Sequence, residues 1–329
     1  MKSILKKVLS AKTDRQVASI LEDLTKSEEI EWKNVGDRAN NWPTIGIGTD
    51  PASGLVERIT NSIDSVIDKE WELHSKPDIG SPRKAAQEWL GVVGGRLSNI
   101  ETSDLKKTAH IAEKIRVSFQ DSSDENYPTV EIRDYGIGIR SKDFSKTILS
   151  LNESNKLNKF HLMGAYGQGG STALAFSNTT VIVSRRFTKD NSDKEISFTI
   201  VRINQGDYAK NKQQWVEYCV NKKTGNPFSY NEKNETVFKP GTLVRHIRME
   251  IGKYKGQITT PSNSLWYIAH NYLFDPIIPF TISDERERFS QTGNRTVTGN
   301  NRLLTQNKYL EYNNKAKHTF KSGKLEIFW

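Results

Sequence analysis

The sequence predicts an α+β fold in which helices pack on a mixed, mainly antiparallel sheet. Helical spacing of apolar residues dominates the first 114 positions, alternating apolar patterns take over after that, and helical stretches recur among the later strands. Residues 1–27 read as two amphipathic helices, the second capped at Thr13 or Asp14. An extended, turn-rich segment leads into a helix containing VERITNSIDSVIDKE, residues 56–70. Residues 75–114 are again helical in character, with Ser81-Pro82 as cap and first turn. KIRVSFQD and PTVEIRDYGIG then alternate as two strands of a hairpin. A glycine cluster, GAYGQGGS at 164–171, opens a short apolar helix, STALAFSN. TTVIVSRR, EISFTIVRI and GTLVRHIRMEI read as strands, SLWYIAHNYLF as a helix, IIPFTISDE as a strand and the terminal KLEIFW as another.

The bulk properties narrow the function classes. The chain has 329 residues, 35% of them hydrophobic, and a mean hydropathy of −0.65, values typical of a polar globular protein. No apolar run approaches the ~18 residues a membrane-spanning helix needs, and the N-terminus lacks the continuous apolar core of a signal peptide. Cys219 is the single cysteine, which rules out internal disulfides, argues against thiolate zinc sites and fits a reducing cytoplasm. The net charge of +9 is compatible with nucleic acid or another polyanion, but the basic residues are scattered, as on a solubilising surface.

Three motifs carry chemistry. Glu57, Asn61, Asp64 and Asp68 recur at spacings of four, three and four, so they share one face of the helix, apart from the apolar stripe of Val56, Ile59, Ile63, Val66 and Ile67. Taken alone, such a stripe is a solvated acidic face. Asp134 ends a strand and is followed by Gly136 and Gly138, a pattern that suits a tight turn or a close approach of a flat ligand to the main chain. Gly164, Gly167, Gly169 and Gly170 precede a helix beginning near Ser171, where backbone amides can cradle phosphate oxygens or simply form a hinge. The spacing matches neither a Walker A loop nor a dinucleotide-binding fingerprint.

In order and spacing, the three motifs resemble the GHKL ATPase superfamily of gyrase-type topoisomerases, Hsp90, histidine kinases, MutL and MORC proteins. Glu57, Asn61 and Asp64 match its E-x-x-x-N-x-x-D box, Asp134, Gly136 and Gly138 its D-x-G-x-G box, and Gly164, Gly167 and Gly169 its glycine lid. Gly241-Thr242 matches a strand beginning Gly-Thr, and the stretch from Ser264 to Ile282 is similar to the closing elements of the Hsp90 N-domain. The resemblance implies a Bergerat-type ATP-binding sandwich over residues 41–285, with a helical insertion at about 75–114. Residues 1–40 are then an N-terminal helical extension, and 286–329 begin a transducer-like domain or form a C-terminal extension. It also implies roles. Asn61 offers its amide oxygen to Mg2+, with Asp64 behind it, and Glu57 holds or deprotonates the water that attacks the γ-phosphate. Asp134 reads adenine with Thr242 nearby, and the segment Gly164, Tyr166, Gly167, Gln168, Gly169, Gly170 and Ser171 neutralises phosphate charge. Asp68 is expected to be an ordinary surface acid.

Within the superfamily, Glu57 fits the hydrolases. The first histidine, His74, follows the helix box, so no phosphoacceptor histidine precedes it as in the kinases. A kinase acting on a separate partner, a nucleotide-gated module with little turnover, and a basic nucleic-acid-binding protein are the rival expectations. ATP-dependent homodimerisation and a DNA or protein partner are implied only by the family. Lys308, Lys315, Lys317, Lys321 and Lys324 are candidates for the transducer lysine that hydrolases of this type direct at the γ-phosphate.

Overall fold

The structure of the chain is a computed structural model that describes every residue except 28, 47–49, 101–103, 152–158, 165–168, 207–212, 233–236, 259, 261–262, 290–292, 306–314 and 329. Helices α1 (Lys2–Ser10) and α2 (Asp14–Lys26) come first, joined by a capping box in which Thr13 and Gln16 satisfy each other's backbone amides. Strand β1 (Ile30–Asn34) and the short α3 (Trp42–Ile45) lead to the longest helix, α4 (Pro51–Leu73). Asp50 caps α4 by accepting from the Ala52 amide, and Pro51 occupies its first turn. Then come α5 (Pro82–Leu90), α6 (Leu105–Ala112), β2 (Ile115–Gln120) and β3 (Thr129–Asp134).

A 3-10 helix, Gly169–Phe176, precedes β4 (Thr179–Arg185), β5 (Glu195–Asn204), β6 (Trp215–Asn221), β7 (Phe228–Asn231) and β8 (Gly241–Ile247). The chain closes with α7 (Leu265–Tyr272), β9 (Phe280–Asp284), β10 (Asn294–Val297), α8 (Asn300–Thr305), β11 (Lys315–Phe320) and β12 (Gly323–Phe328). The class is α+β, as the sequence predicts. Strands β6, β7, β10 and β11 were not anticipated.

The strands of the large sheet run in the order β1-β6-β5-β4-β8-β3-β2-β9-β10, with β7 also pairing β5. Neighbours are antiparallel except for the parallel pair β2–β9. Alternation along each strand divides its side chains between two faces. On one face Val181, Val183, Leu243 and Ile247 pack with Leu5, Val8, Val17, Ile20 and Leu24 of α1 and α2. Arg245 fastens α1 there by donating to the carbonyls of Val8, Leu9 and Ala11. On the other face Leu55, Ile59, Ile63, Val66 and Ile67 of α4 meet Val117, Phe119, Val130, Ile132, Phe280 and Ile282. Ile182 and Val244 on that side join Leu174 of the 3-10 helix.

Segments flanking the expected ATP-binding unit, and the expected insertion within it, join the same architecture. Strand β1 pairs β6, β10 pairs β9, and α5 contributes Ala85, Ala86 and Leu90 to the α4 core. The hairpin β11–β12 is a separate two-stranded sheet, with Phe320, Leu325 and Ile327 exposed. Cys219 lies buried in β6, where burial pushes its thiol pKa up to about 11. Among the described residues no helix is long and apolar enough to cross a membrane.

Candidate functional site

The sheet positions β3 so that its last residue, Asp134, meets α4. The Asp134 carboxylate is buried, and its Oδ1 accepts from the Ser65 hydroxyl at 2.9 Å, the Gly136 amide at 2.9 Å and the Thr242 amide at 3.3 Å. Its Oδ2 has no hydrogen-bond partner among the described residues. Burial pushes the Asp134 pKa upward, against the opposing charge of Arg133 and the donors Gly136, Ser65 and Thr242.

The turn after Asp134 docks on the same helix: the Ile137 amide donates to the Ser65 carbonyl at 2.9 Å. Gly136 is required by this contact, because a Cβ there would run into the Ser65 side chain and carbonyl. Gly138 has φ +64°, and its missing side chain makes way for the Arg185 carbonyl at the end of β4. In both cases the space a side chain would take is filled by protein. Thr242, at the start of β8, shares a 2.9 Å hydrogen bond with Ser184 of β4, whose hydroxyl also receives the Ile139 amide.

The polar ridge of α4 has two unlike halves. Asp64 is buried; its Oδ1 accepts from the Met163 amide at 2.7 Å and its Oδ2 from the Gly164 amide at 3.0 Å. Both oxygens therefore hold the start of the glycine-rich segment, so Asp64 acts on that segment's backbone. Asp68, expected at the surface, is instead only 7% exposed. It pairs with Lys159 Nζ at 2.7 and 3.0 Å and with His161 Nε2 at 2.9 Å, because residues 159–164 fold over this end of the helix. Burial alone would raise the Asp68 pKa, yet His161 and Lys159 together hold it below its usual value. The His161 ring stacks on Trp71 with centroids 4.6 Å apart.

Toward the other end, Glu57 is exposed and makes no hydrogen bond or ion pair among the described residues, and Asn61 is half-buried. One turn before Glu57, Gly54 lies against the 3-10 helix: a Cβ there would sit 2.8 Å from Ala173 Cα. The glycine-rich segment is thus tied to the ridge at both ends, at Asp64 through Gly164 and at Gly54 through Ala173. Glu57 and Asn61 lie between these anchors, since α4 rises about 1.5 Å per residue. Gly169 and Gly170 begin the 3-10 helix and Ser171 is buried within it. Tyr166, Gly167 and Gln168 lie outside the described residues, as does Lys308.

The Asp134 turn and the glycine cluster therefore both meet the α4 motif, and Thr242 joins them through Asp134. The residues that sequence reasoning missed are Ser65, Lys159 and His161. Ser65 had a signal, since it continues the four-residue spacing of Glu57 and Asn61; the other two had none beyond preceding the glycine cluster. Among the described residues no group of three or more His, Cys, Asp or Glu gathers to hold a metal ion. No protein-family model matches the chain, and no curated protein matches it with significant similarity.

Proposed function

We propose that the chain binds and hydrolyses ATP as a Mg2+-dependent ATPase of the GHKL type. The observation that supports this best is the junction of α4 with the end of β3. There Ser65, Gly136 and Thr242 saturate one oxygen of Asp134 and leave the other for a donor. That second oxygen is not one of the enclosed unpartnered atoms, so a donor from outside can reach it, and the exocyclic amine of adenine is such a donor. From there the ridge leads through Asn61 to Glu57, between the contact of Gly164 with Asp64 and that of Ala173 with Gly54.

Each residue then has a task suited to its surroundings. Asp134 selects the base, and Asp64 fixes the backbone of the segment that covers the phosphates. Glu57, exposed and unpaired, orients a water and accepts its proton. Mg2+, when bound, neutralises phosphate charge, and Asn61 offers it an uncharged oxygen ligand. The Gly164 amide is held by Asp64, and the task of stabilising negative charge on the transferred group falls to backbone amides after it, up to Ser171. Nucleotide-dependent homodimerisation and a DNA partner belong to the same proposal; the +9 charge makes duplex DNA the first polyanion to add to an ATPase assay, at two salt concentrations.

Calorimetric titration with ATP, followed by Mg2+-dependent phosphate release, tests the reading. Wild type binds and turns over ATP, Glu57→Ala binds without turnover, and Asp134→Asn loses binding. Absence of any ATP binding by wild type would overturn the proposal. Binding without phosphate release would leave a nucleotide-gated module in its place.

A further inference from the structure

Arg58 follows Glu57 in sequence but faces the sheet. It is 4% exposed, and its guanidinium has no acceptor among the described residues: Nε and Nη2 are enclosed without a partner, and Nη1, the nitrogen that is not enclosed, has none either. Other buried arginines are matched. Arg185 pairs with Glu232 and the Phe238 carbonyl, and Arg245 with Glu131 and three carbonyls of the N-terminal segment. Arg286 pairs with Asp284 and the carbonyls of Lys255 and Gly256, and Arg133 with the carbonyls of Asp134 and Lys239. A buried charge without an acceptor is strongly unfavourable unless something else supplies one. Burial lowers the Arg58 pKa to about 10, with neighbouring Glu57 opposing, so the group stays cationic at neutral pH.

Among the described residues no acid forms an ion pair or hydrogen bond with Arg58; exposed Glu57 acts on it only through its charge. On the sheet side lies His246 of β8, whose Nδ1 is 2.9 Å from the Thr180 hydroxyl and whose Nε2 is also enclosed without a partner. Burial and the charge of Arg58 lower the His246 pKa to about 3, so it is neutral. The 3-10 helix that follows the glycine cluster bounds the space. Gly54, one turn before Arg58, abuts Ala173, and the Phe176 carbonyl accepts from the Glu250 amide at 2.7 Å. The next residue, Ser177, donates to the Ile247 carbonyl at 2.7 Å, so this helix ends over the strand end that carries His246. Arg58 thus extends from α4 toward His246 on the β4–β8 floor, and the 3-10 helix that abuts Gly54 ends over the same strand.

We propose that Arg58 is a phosphate-recognition residue, a cation left without an internal acceptor so that the polyphosphate of the bound nucleotide completes it. This rests on the ATP-site reading above and adds to it a residue that none of the four motifs contains. An oxyanion reaching Nη1 would form charge-assisted hydrogen bonds of the kind every other arginine named here already has. The neutral His246 beneath adds no competing charge.

The test compares ATP with adenosine, which shares the base but has no phosphates, by titration calorimetry on the full chain. Arg58→Met keeps the apolar stem of the side chain and removes the guanidinium and its charge; Arg58→Lys keeps the charge. The expected result is that Arg58→Met binds ATP at least tenfold more weakly than wild type, binds adenosine within twofold of it, and has an unchanged or raised ligand-free Tm. Arg58→Lys should recover part of the ATP affinity. Equal ATP affinity in Arg58→Met and wild type overturns the proposal, as does an equal loss of ATP and adenosine. A lowered Tm or failure to fold in Arg58→Met assigns the residue to packing and overturns it too. Wild type that binds neither ligand refutes the ATP site itself, an outcome distinguishable from all of these.

Discussion

The two halves of the α4 ridge have the same side-chain chemistry and opposite surroundings. Asp64 and Asp68 are buried and bonded to residues 159–164, whereas Glu57, two turns earlier, is exposed and unpaired. The first half of the contrast is structural: two carboxylates hold the base of a glycine-rich segment in place. The second half is an exposed carboxylate with no partner among the described residues, the one to which the proposed reaction assigns the water. The difference teaches that helical spacing identifies a face, and what lies over each position decides what an acid there can do.

The contrast can be broken by removing one acid at a time. Asp64→Ala should have the largest effect on stability, because it strands two backbone amides; a loss of about 3 kcal/mol is expected from the usual cost of unsatisfied buried donors. Urea unfolding measures it, and limited proteolysis near residue 164 should accelerate in parallel. A stability within error of wild type would show that the glycine segment needs no anchor at Asp64.

Asp68→Asn should cost somewhat less, about 2 kcal/mol, since half-exposed Lys159 can turn to solvent. This loss carries a pH signature. The folded-state pKa of Asp68 is lowered, so its contribution is fully present above the unfolded value of roughly 4 and disappears as pH falls through the lowered folded value. The stability gap between wild type and Asp68→Asn should therefore be constant near neutrality and close in acid. A gap that widens in acid would contradict the pairing with Lys159 and His161.

Gly54→Ala sharpens the other end of the comparison. Inside a helix this change normally stabilises by up to about 1 kcal/mol. Here the new Cβ would lie 2.8 Å from Ala173 Cα, so a net loss of about 1 kcal/mol is expected from overpacking. Thermal unfolding gives the sign. Last and smallest, Glu57→Ala should leave stability unchanged within about 0.5 kcal/mol, as exposed positions usually do, while removing turnover. A large stability loss there would erase the distinction between the halves.

Much of the architecture was legible because it depends on local periodicity. The α4 face, the β2–β3 hairpin and Asp134 at a strand end all follow from spacing, and the caps at Thr13 and Ser81 follow from residue type. What sequence could not supply was the covering layer. Whether Asp68 meets water or His161 depends on residues about ninety positions away, and no local pattern encodes that. Arg58 was hidden for a related reason: a charged residue beside an acid reads as part of a solvated face until the sheet beneath it is known. Strands β10 and β11 were obscured by polar composition that resembles loops.

The lone thiol of Cys219 offers a practical consequence. It sits in β6, covered on its outer edge by β1 and on its inner edge by β5, with the Ile200 amide on its sulfur at 3.2 Å. Its high pKa leaves almost none of it in the nucleophilic form at neutral pH, and burial denies reagents access to it. Alkylation kinetics at this position would therefore clock transient opening of the sheet interior, giving every variant above a built-in tracer that requires no added label.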